Sequence, residues 1–500
     1  MQAYLLGIDI GTGSTKAVAV DLEGKSVGSS QHYYPVDSPQ AGYSEQDPEI
    51  IFKAFVNCII DVVKTIGNSP MAISLSSAMH SVIPVDTNGD ALAPMITWAD
   101  SRSEDIAALI KNSEQGADIY KTSGTPIHAM TPLCKIIWIK ENQPELFAAS
   151  YKFISIKEYI WHKLFNVFEV DYAIASATGL FDIIKLNWNP VACDLAGITK
   201  DQFSVPVNTT HKRADLSTSI VGMLTIDAST QFVIGASDGC CANLGSYVTE
   251  PSVASLTIGT SGAVRITSKQ PVYNYQSMIF NYLLNENTFV SGGAINNGGI
   301  VLDWLFKTFS AKSSLAHADY ELLFEDIANI PAGSDGLIFL PYLYGERAPI
   351  WDTKSCGVFF NIKSQHTQSH FLRAGLEGIC FALNNVIESV EKSSLPIERL
   401  HISGGFISSP VWVQILADIT QKELIAIQQE DASALGAIFL ADDALGINKL
   451  GKRPLSTNEV TVKPNKSNQK VYHDRFLVFK KLYQNLKETM HWIHESNNSY

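Results

Sequence analysis

The chain opens with apolar runs cut by glycine and small polar residues. Tyr4–Ile10 is apolar except for Gly7 and Asp9, and Gly11-Thr12-Gly13-Ser14-Thr15 follows. Residues 16–22 and 26–34 repeat the pattern around Glu23-Gly24-Lys25. Short β-rich runs bounded by glycine turns predict a three-strand meander. Next, Asp47-Pro48 precedes apolar residues at 51, 52, 55, 56, 59, 60 and 63, and Gly67 closes the series. That spacing follows the helical period, and Asp followed by Pro is a helix start. Residues 71–76 return to strand character. Strands and helices mixed in this order predict α/β architecture.

Helical spacing recurs at 135–142 and 156–165, whereas 166–230 has no decisive period. Residues 232–236 read as a strand leading into Asp238. The small residues of 239–247 read as a helix packed closely on a neighbour. From Val253 the opening pattern returns. Leu256-Thr-Ile-Gly-Thr-Ser-Gly-Ala-Val-Arg-Ile266 echoes Ile8-Asp-Ile-Gly-Thr-Gly-Ser-Thr-Lys-Ala-Val18, with the Ile-Gly-Thr copies 248 residues apart (258 − 10). Half-chain spacing predicts two related domains, 1–246 and 247–500. Helices are expected near 297–309, 315–328, 367–392, 410–421 and 433–445, and strands at 337–340, 399–403 and 423–427. A polar connector over 452–470 and a terminal helix over 471–495 complete the reading.

Composition narrows the class. Of 500 residues, 46% are hydrophobic and 10% aromatic, enough for a sizeable core, and only 17% are charged. A disordered chain would be charge-rich and aromatic-poor. The net charge of −13 argues against broad nucleic-acid binding, which needs a basic footprint. No apolar run reaches about 18 residues, so no membrane partner is expected. The N-terminus lacks the basic start of a signal peptide. Seven cysteines without a CxxC pair predict reduced core thiols and a cytoplasmic location, with small-residue packing at Cys240 and Cys241.

Three glycine-hydroxyl turns are candidates for phosphate chemistry. In Gly11-Thr12-Gly13-Ser14-Thr15-Lys16, backbone N–H groups and hydroxyls can meet phosphate, although an ordinary hairpin turn needs the same residues. Asp9 tips the balance, because a carboxylate in an apolar strand is costly without a partner, and hydrated Mg²⁺ beside phosphates is such a partner. Gly259-Thr260-Ser261-Gly262 offers the matching turn. Ser403-Gly-Gly405-Phe-Ile-Ser-Ser409 lies between a strand and a helix, where it serves either as a tight turn or as a bed for a flat ring. Asp238 reads as a helix N-cap or as a proton acceptor.

Together these motifs resemble the actin-like ATPase superfamily, and more specifically the FGGY carbohydrate kinases. Met130-Thr-Pro-Leu-Cys-Lys-Ile-Ile-Trp-Ile-Lys-Glu-Asn142 fits that family's first signature. Gly357-Val-Phe-Phe-Asn-Ile362 with His370-Phe-Leu-Arg-Ala-Gly-Leu-Glu377 fits the second, except that Asn361 replaces a usual glycine and is expected to loosen one turn. The resemblance covers residues 4–445. It implies two actin-like (ribonuclease H-like) α/β domains flanking a cleft for ATP and substrate. It also implies Asp238 as the catalytic base and Asp9 as the holder of Mg²⁺. Thr12, Gly13, Ser14, Lys16, Gly259 and Thr260 would position phosphates, and Gly298 or Gly299, Gly405 and Ser409 would contact the nucleoside.

The Ser77-Ala-Met-His80 and Ile96-Thr-Trp-Ala-Asp-Ser-Arg102 segments match those lining the sugar pocket of the family, which implies substrate contacts from His80, Trp98, Asp100 and Arg102. These segments, with Thr122–His128, Ile156–Ile160, Ala294–Gly299 and Gly345–Pro349, resemble gluconate kinases most and xylulose kinases less fully. A sugar acid needs cationic or amide partners, and Arg102, His128, Asn296 and Arg347 are candidates in no settled order. The expected reaction is ATP-dependent phosphorylation of D-gluconate. Xylulose or another sugar acid is the alternative, and an actin-like ATPase or a sugar sensor the non-kinase one. The expected partner is a small-molecule sugar or sugar acid, and a homodimer is compatible with this reading.

Overall fold

The structure, a computed structural model, describes residues 3–310, 317–427, 431–451 and 459–497. Two mixed sheets dominate it. The first has six strands in the order Lys212–Arg213, Gln231–Ser237, Ala72–Ser77, Tyr4–Ile10, Ser14–Asp21, Ser26–Tyr33. Tyr4–Ile10 pairs antiparallel with Ser14–Asp21 and parallel with Ala72–Ser77. The second sheet repeats this plan. Val253–Ile258 pairs antiparallel with Gly262–Ser268 and parallel with Arg399–Ser403, and seven strands take part. The repeated Ile-Gly-Thr turns therefore occupy the same place in two sheets of the same plan. The fold is α/β with two actin-like halves, and the chain passes from one sheet to the other between Gly245 and Val253.

The local reasons match the sequence signals. In the helix Pro48–Ile66, Asp47 accepts from the Glu49 N–H and Gly67 closes the end at φ 84°. Its residues Ile51, Phe55, Ile59 and Val62 are buried against Tyr4, Leu6 and Ile8 of the first sheet. Helix Gln469–Asn497 buries Tyr472, Phe476, Phe479, Tyr483 and Met490, a three-four repeat, against the core of the second half.

Some expectations change. The indecisive 166–230 stretch folds as short pieces, including Glu169–Asp171, Tyr172–Ser176, Pro190–Ala196 and Thr218–Leu224. Of the connector expected over 452–470, residues 452–458 lie outside the described residues, as do 315–316 at the start of one expected helix. The remainder is structured. Thr461–Val462 adds an edge strand, and the Asp418 carboxylate accepts from the Asn465 N–H and Asn468 Nδ2. These bonds start the terminal helix at Gln469. Asn361 stands at φ 67°, where Asn is among the better tolerated non-glycine residues, and its Nδ2 donates to the Gly336 carbonyl at 2.9 Å. The turn is pinned there rather than loosened.

At the seam the halves exchange helices. Ala432–Ala444 lies on the first sheet, with Ala434, Ile438 and Phe439 among Leu5, Val18, Val20 and Val233. Asp238–Gly245 crosses it, its Cys240 and Cys241 clustered with Phe280, Tyr282 and Val290 of the second sheet. Both thiols are buried, and burial pushes their pKa values up, that of Cys240 to about 12. They are packing residues. Among the described residues no helix is long and apolar enough to cross a membrane.

Candidate active site

Asp9, beside the first hairpin tip, lies near Asp238 at the start of the seam helix. In the first tip the Gly11 N–H donates to the Ser14 carbonyl, and nothing within 4 Å would meet a side chain at Gly13. Thr12 Oγ accepts from the Trp98 indole at 2.8 Å, and Ser14 Oγ accepts from Gln31 Nε2 at 2.9 Å. Lys16 Nζ lies 3.6 Å from the Asp431 carboxylate. In the second tip the Gly259 N–H donates to the Ser261 carbonyl, while the carbonyls of Gly259 and Thr260 accept from the N–H groups of Gly299 and Ile300. The second hairpin therefore caps helix Gly299–Ser310.

Beside this hairpin a cavity of about 730 Å³ is lined by Gly259, Thr260, Gly299, Gly405 and Ser409, with Phe324 and Trp412 among its walls. Five residues singled out from sequence thus share one pocket. Gly298 is absent from that lining. A Cβ there would lie 2.5 Å from the Ser261 carbonyl oxygen, so Gly298 serves the close approach of two chain segments. Ser409 Oγ also accepts from the Trp412 N–H as the cap of helix Pro410–Thr420.

Asp9 is half-buried in its strand, and Ser76 Oγ donates to its Oδ1 at 2.6 Å. Burial, with Asp431 and Asp238 nearby, pushes its pKa up to about 8. Acids crowded in this way favour a cation. Among the described residues no group of three or more His, Cys, Asp or Glu side chains forms a metal cage. One carboxylate beside a glycine hairpin suits Mg²⁺, which keeps much of its water.

Asp238 begins the helix Asp238–Gly245, but the N-cap is Ser237, whose side chain accepts from the Cys240 N–H. The capping alternative for Asp238 is therefore filled by its neighbour. Its carboxylate accepts from the Gly239 N–H at 2.6 Å. Burial raises its pKa, against the lowering effects of Arg265, the Gly239 N–H, Lys157 and Arg347. The preceding strand shifts register between Val233 and Ala236, with Gly235 at φ 70°. Such an irregularity re-aims the residues after it. Lys157 Nζ fixes the strand end by donating to the Ala236 carbonyl and the Asp171 carboxylate, both at 2.7 Å.

On the substrate side, His80 stands at φ 67°. Its Nδ1 faces the Ala177 carbonyl at 2.8 Å and its Nε2 the Tyr282 hydroxyl at 3.2 Å. Burial first, then Lys135, pushes its pKa down to about 3, so the ring is neutral. His128 is also neutral, its pKa pushed down to about 3 by burial and then by Arg347. Asn296 donates Nδ2 to the Tyr344 carbonyl at 3.3 Å, and its backbone N–H reaches Glu346.

Asp100 and Arg102 are bound to each other. Arg102 donates to Asp100 through Nε and Nη2, reaches Glu45 at 2.6 Å, and lies 3.6 Å over the Tyr43 ring. The side chains are 0% and 3% exposed. Their charges answer each other and Glu45 and brace the loop behind Trp98. Arg347 does face the cleft, with its guanidinium 5.1 Å over the Trp98 ring.

Two residues were missed from sequence. Lys135, fully buried, donates to the carbonyls of His80 and Thr97 at 2.6 Å each and so joins two substrate segments. Arg265, on strand Gly262–Ser268, faces Asp238. The criterion that marked Asp9, a charge within an apolar strand, marks Arg265 equally.

Comparison with known proteins adds a family to this geometry. Residues 4–245 match the N-terminal domain, and residues 254–444 the C-terminal domain, of the FGGY family of carbohydrate kinases. The chain is 42% identical to a gluconokinase of Bacillus subtilis (strain 168) over 453 residues, 89% of this chain and 88% of the relative. Among solved structures, a gluconate kinase from Lactobacillus acidophilus superposes with TM-score 0.91 at 33% identity, covering 97% of this chain and 98% of the other. A ligand-bound xylulose kinase from Lactobacillus acidophilus superposes with TM-score 0.92 at 33% identity, covering 98% and 100%.

Proposed function

The chain belongs to the FGGY family of carbohydrate kinases, and from that premise we propose that it transfers the γ-phosphoryl group of ATP to the terminal hydroxyl of D-gluconate, giving 6-phosphogluconate. The observation that carries the choice of gluconate is the 42% identity to a gluconokinase held across 89% of the chain. The structure-level likeness to gluconate and xylulose kinases is equal at 33%, so D-xylulose is the second reading.

In this reading Asp238 accepts the proton of the attacking hydroxyl. Its freedom from the capping role and its neighbouring guanidinium groups suit that task. The first hairpin (Thr12, Gly13, Ser14, with Lys16 behind it) and the second (Gly259, Thr260) hold the phosphates from opposite sides. Gly299, Gly405 and Ser409 form the bed of the nucleoside pocket. His80 and Trp98 shape the polyol site, and both are neutral. Asp9 would hold Mg²⁺, which when bound would supply charge neutralisation beside the phosphates. Rate enhancement arises from positioning and charge neutralisation. The division of labour follows the two halves, 1–246 for the sugar and first hairpin and 247–500 for the nucleotide, and it works inside the cell.

The test is a coupled ADP-release assay on D-gluconate, D-xylulose, glycerol and other sugar acids. The expected result is a preference for D-gluconate. Preference for xylulose overturns the substrate, and stimulation by none of them overturns the kinase. Asp238→Asn should lower kcat by about 10²- to 10⁴-fold with ATP binding nearly unchanged, and near-normal turnover would remove Asp238 as the base.

A further inference from the structure

Two half-buried guanidinium groups near Asp238 form no direct ion pair, that carboxylate acting on each only through space. Arg265 sits on strand Gly262–Ser268, paired opposite Ser255 and Gly292. A Cβ on Gly239 would come within 3.3 Å of Arg265 Nε and 3.1 Å of the Met79 methyl, so the guanidinium lies on the first turn of the Asp238 helix. Among the described residues it takes part in no hydrogen bond and no ion pair. Arg347 gives Nη2 to the Ile295 carbonyl at 3.1 Å, while its Nε is buried with no partner. It too forms no ion pair among the described residues. Leaving a buried donor such as Arg347 Nε unsatisfied costs more than making a bond gains, and a guanidinium with no direct ion pair can still take an anion.

The surroundings say which ligand would satisfy them. The other candidate groups are committed or neutral, since Arg102 is paired with Asp100 and Glu45 and both His80 and His128 are neutral. Phosphate already has its own donors at the two hairpin tips. Arg265 lies four residues beyond Ser261, on the order of 13 Å along the strand from that tip. Two unpaired arginines beside a polyol site match a carboxylate, which accepts charge-assisted hydrogen bonds from guanidinium groups.

We propose that Arg265 and Arg347 form a carboxylate anchor that selects open-chain sugar acids over neutral polyols and ketoses of the same length. The inference rests on the sugar-acid reading above and names the residues that enforce it. Arg347 is held for this by the Glu346 carboxylate, which accepts from the backbone N–H groups of Asn296 and Arg347 and from Asn297 Nδ2. Its guanidinium carbon lies 5.1 Å from the centre of the Trp98 ring, a cation–π distance.

The test compares D-gluconate with D-glucitol, which differs in carrying CH₂OH where the acid carries the carboxylate. Arg265→Met should lower the gluconate-to-glucitol ratio of kcat/KM by about 10- to 100-fold, mainly through KM for gluconate. Arg265→Lys should retain part of that ratio, because it keeps the charge and loses the fork. Arg347→Met should act in the same direction, and thermal stabilisation by ATP checks that each variant is folded. An equal fall on both substrates overturns the anchor and points to the transferring phosphoryl group. An unchanged ratio in a folded variant also overturns it. Wild-type enzyme that ignores sugar acids altogether fails the functional reading instead, and that result is visible before any variant is made.

Discussion

Gly436→Ala probes the mechanical centre of the molecule. Gly436 lies in helix Ala432–Ala444, where that helix crosses Asp238–Gly245. A Cβ at this position would stand 1.9 Å from the Cys241 carbonyl oxygen, 2.5 Å from its carbon and 2.7 Å from its Cα. All three are backbone atoms, so no side chain can swing away. Ordinary contact begins near 3.4 Å, so the helices must part by up to 1.5 Å (3.4 − 1.9). Overpacking of this kind costs about 1–3 kcal/mol of stability. The functional cost should be larger. Asp238 is three residues from Cys241 on the displaced helix, and a shift on the order of 1 Å in catalytic geometry costs about 10²-fold in rate. Gly436→Ala should therefore fold, melt a few degrees lower and lose about 10²-fold in kcat, with a smaller change in KM for ATP. A coupled kinase assay and a thermal melt read both. Near-normal kcat in a folded Gly436→Ala protein would refute the idea that this crossing sets the position of Asp238.

Three further outcomes follow from other contacts. Lys135→Met removes the donor to two buried carbonyls, His80 and Thr97; at about 1–3 kcal/mol each, less the relief of a desolvated ammonium, urea unfolding should show a net loss of about 2–4 kcal/mol. His80 stays neutral in the folded chain to about pH 3 but takes up a proton near 6.5 when unfolded, so the unfolded state binds more protons between those values. Stability from this group is full above pH 7 and falls as pH drops, by about 2 kcal/mol at pH 5; His80→Gln should flatten the pH dependence of the urea midpoint by that amount. Asn361→Gly should change the melting temperature little, whereas Asn361→Val, with a branched side chain at φ 67°, should cost about 1–2 kcal/mol.

Much of the architecture was legible because its signals are local. The meander, the Asp47-Pro48 helix start and the repeated hairpin depend on periodicity and turn chemistry within a few residues. The 166–230 stretch was not, because its strands are two or three residues long and are fixed by distant partners, such as Val205–Val207 on Glu169–Asp171. The site divides in the same way. Thr260, Gly299, Gly405 and Ser409 were found as turn residues, and one pocket gathers them. The pairing of Arg102 was not legible, because sequence reports a charge but hides its partner, here Glu45, 57 residues away. Arg265 was missed for the converse reason. Its importance lies in the partners it lacks, which only the packed structure displays.

The contact between Trp98 and Arg347 has an optical consequence. Trp98 comes from the first half and Arg347 from the second, and the indole also holds the first glycine hairpin through Thr12. Indole emission responds to a cation over the ring and to the bond at its nitrogen, and both would change if the halves rotated apart. The protein thus carries its own gauge of cleft opening. The other seven tryptophans form a background that a Trp98→Phe protein would isolate, so the closing motion can be timed without attaching a dye.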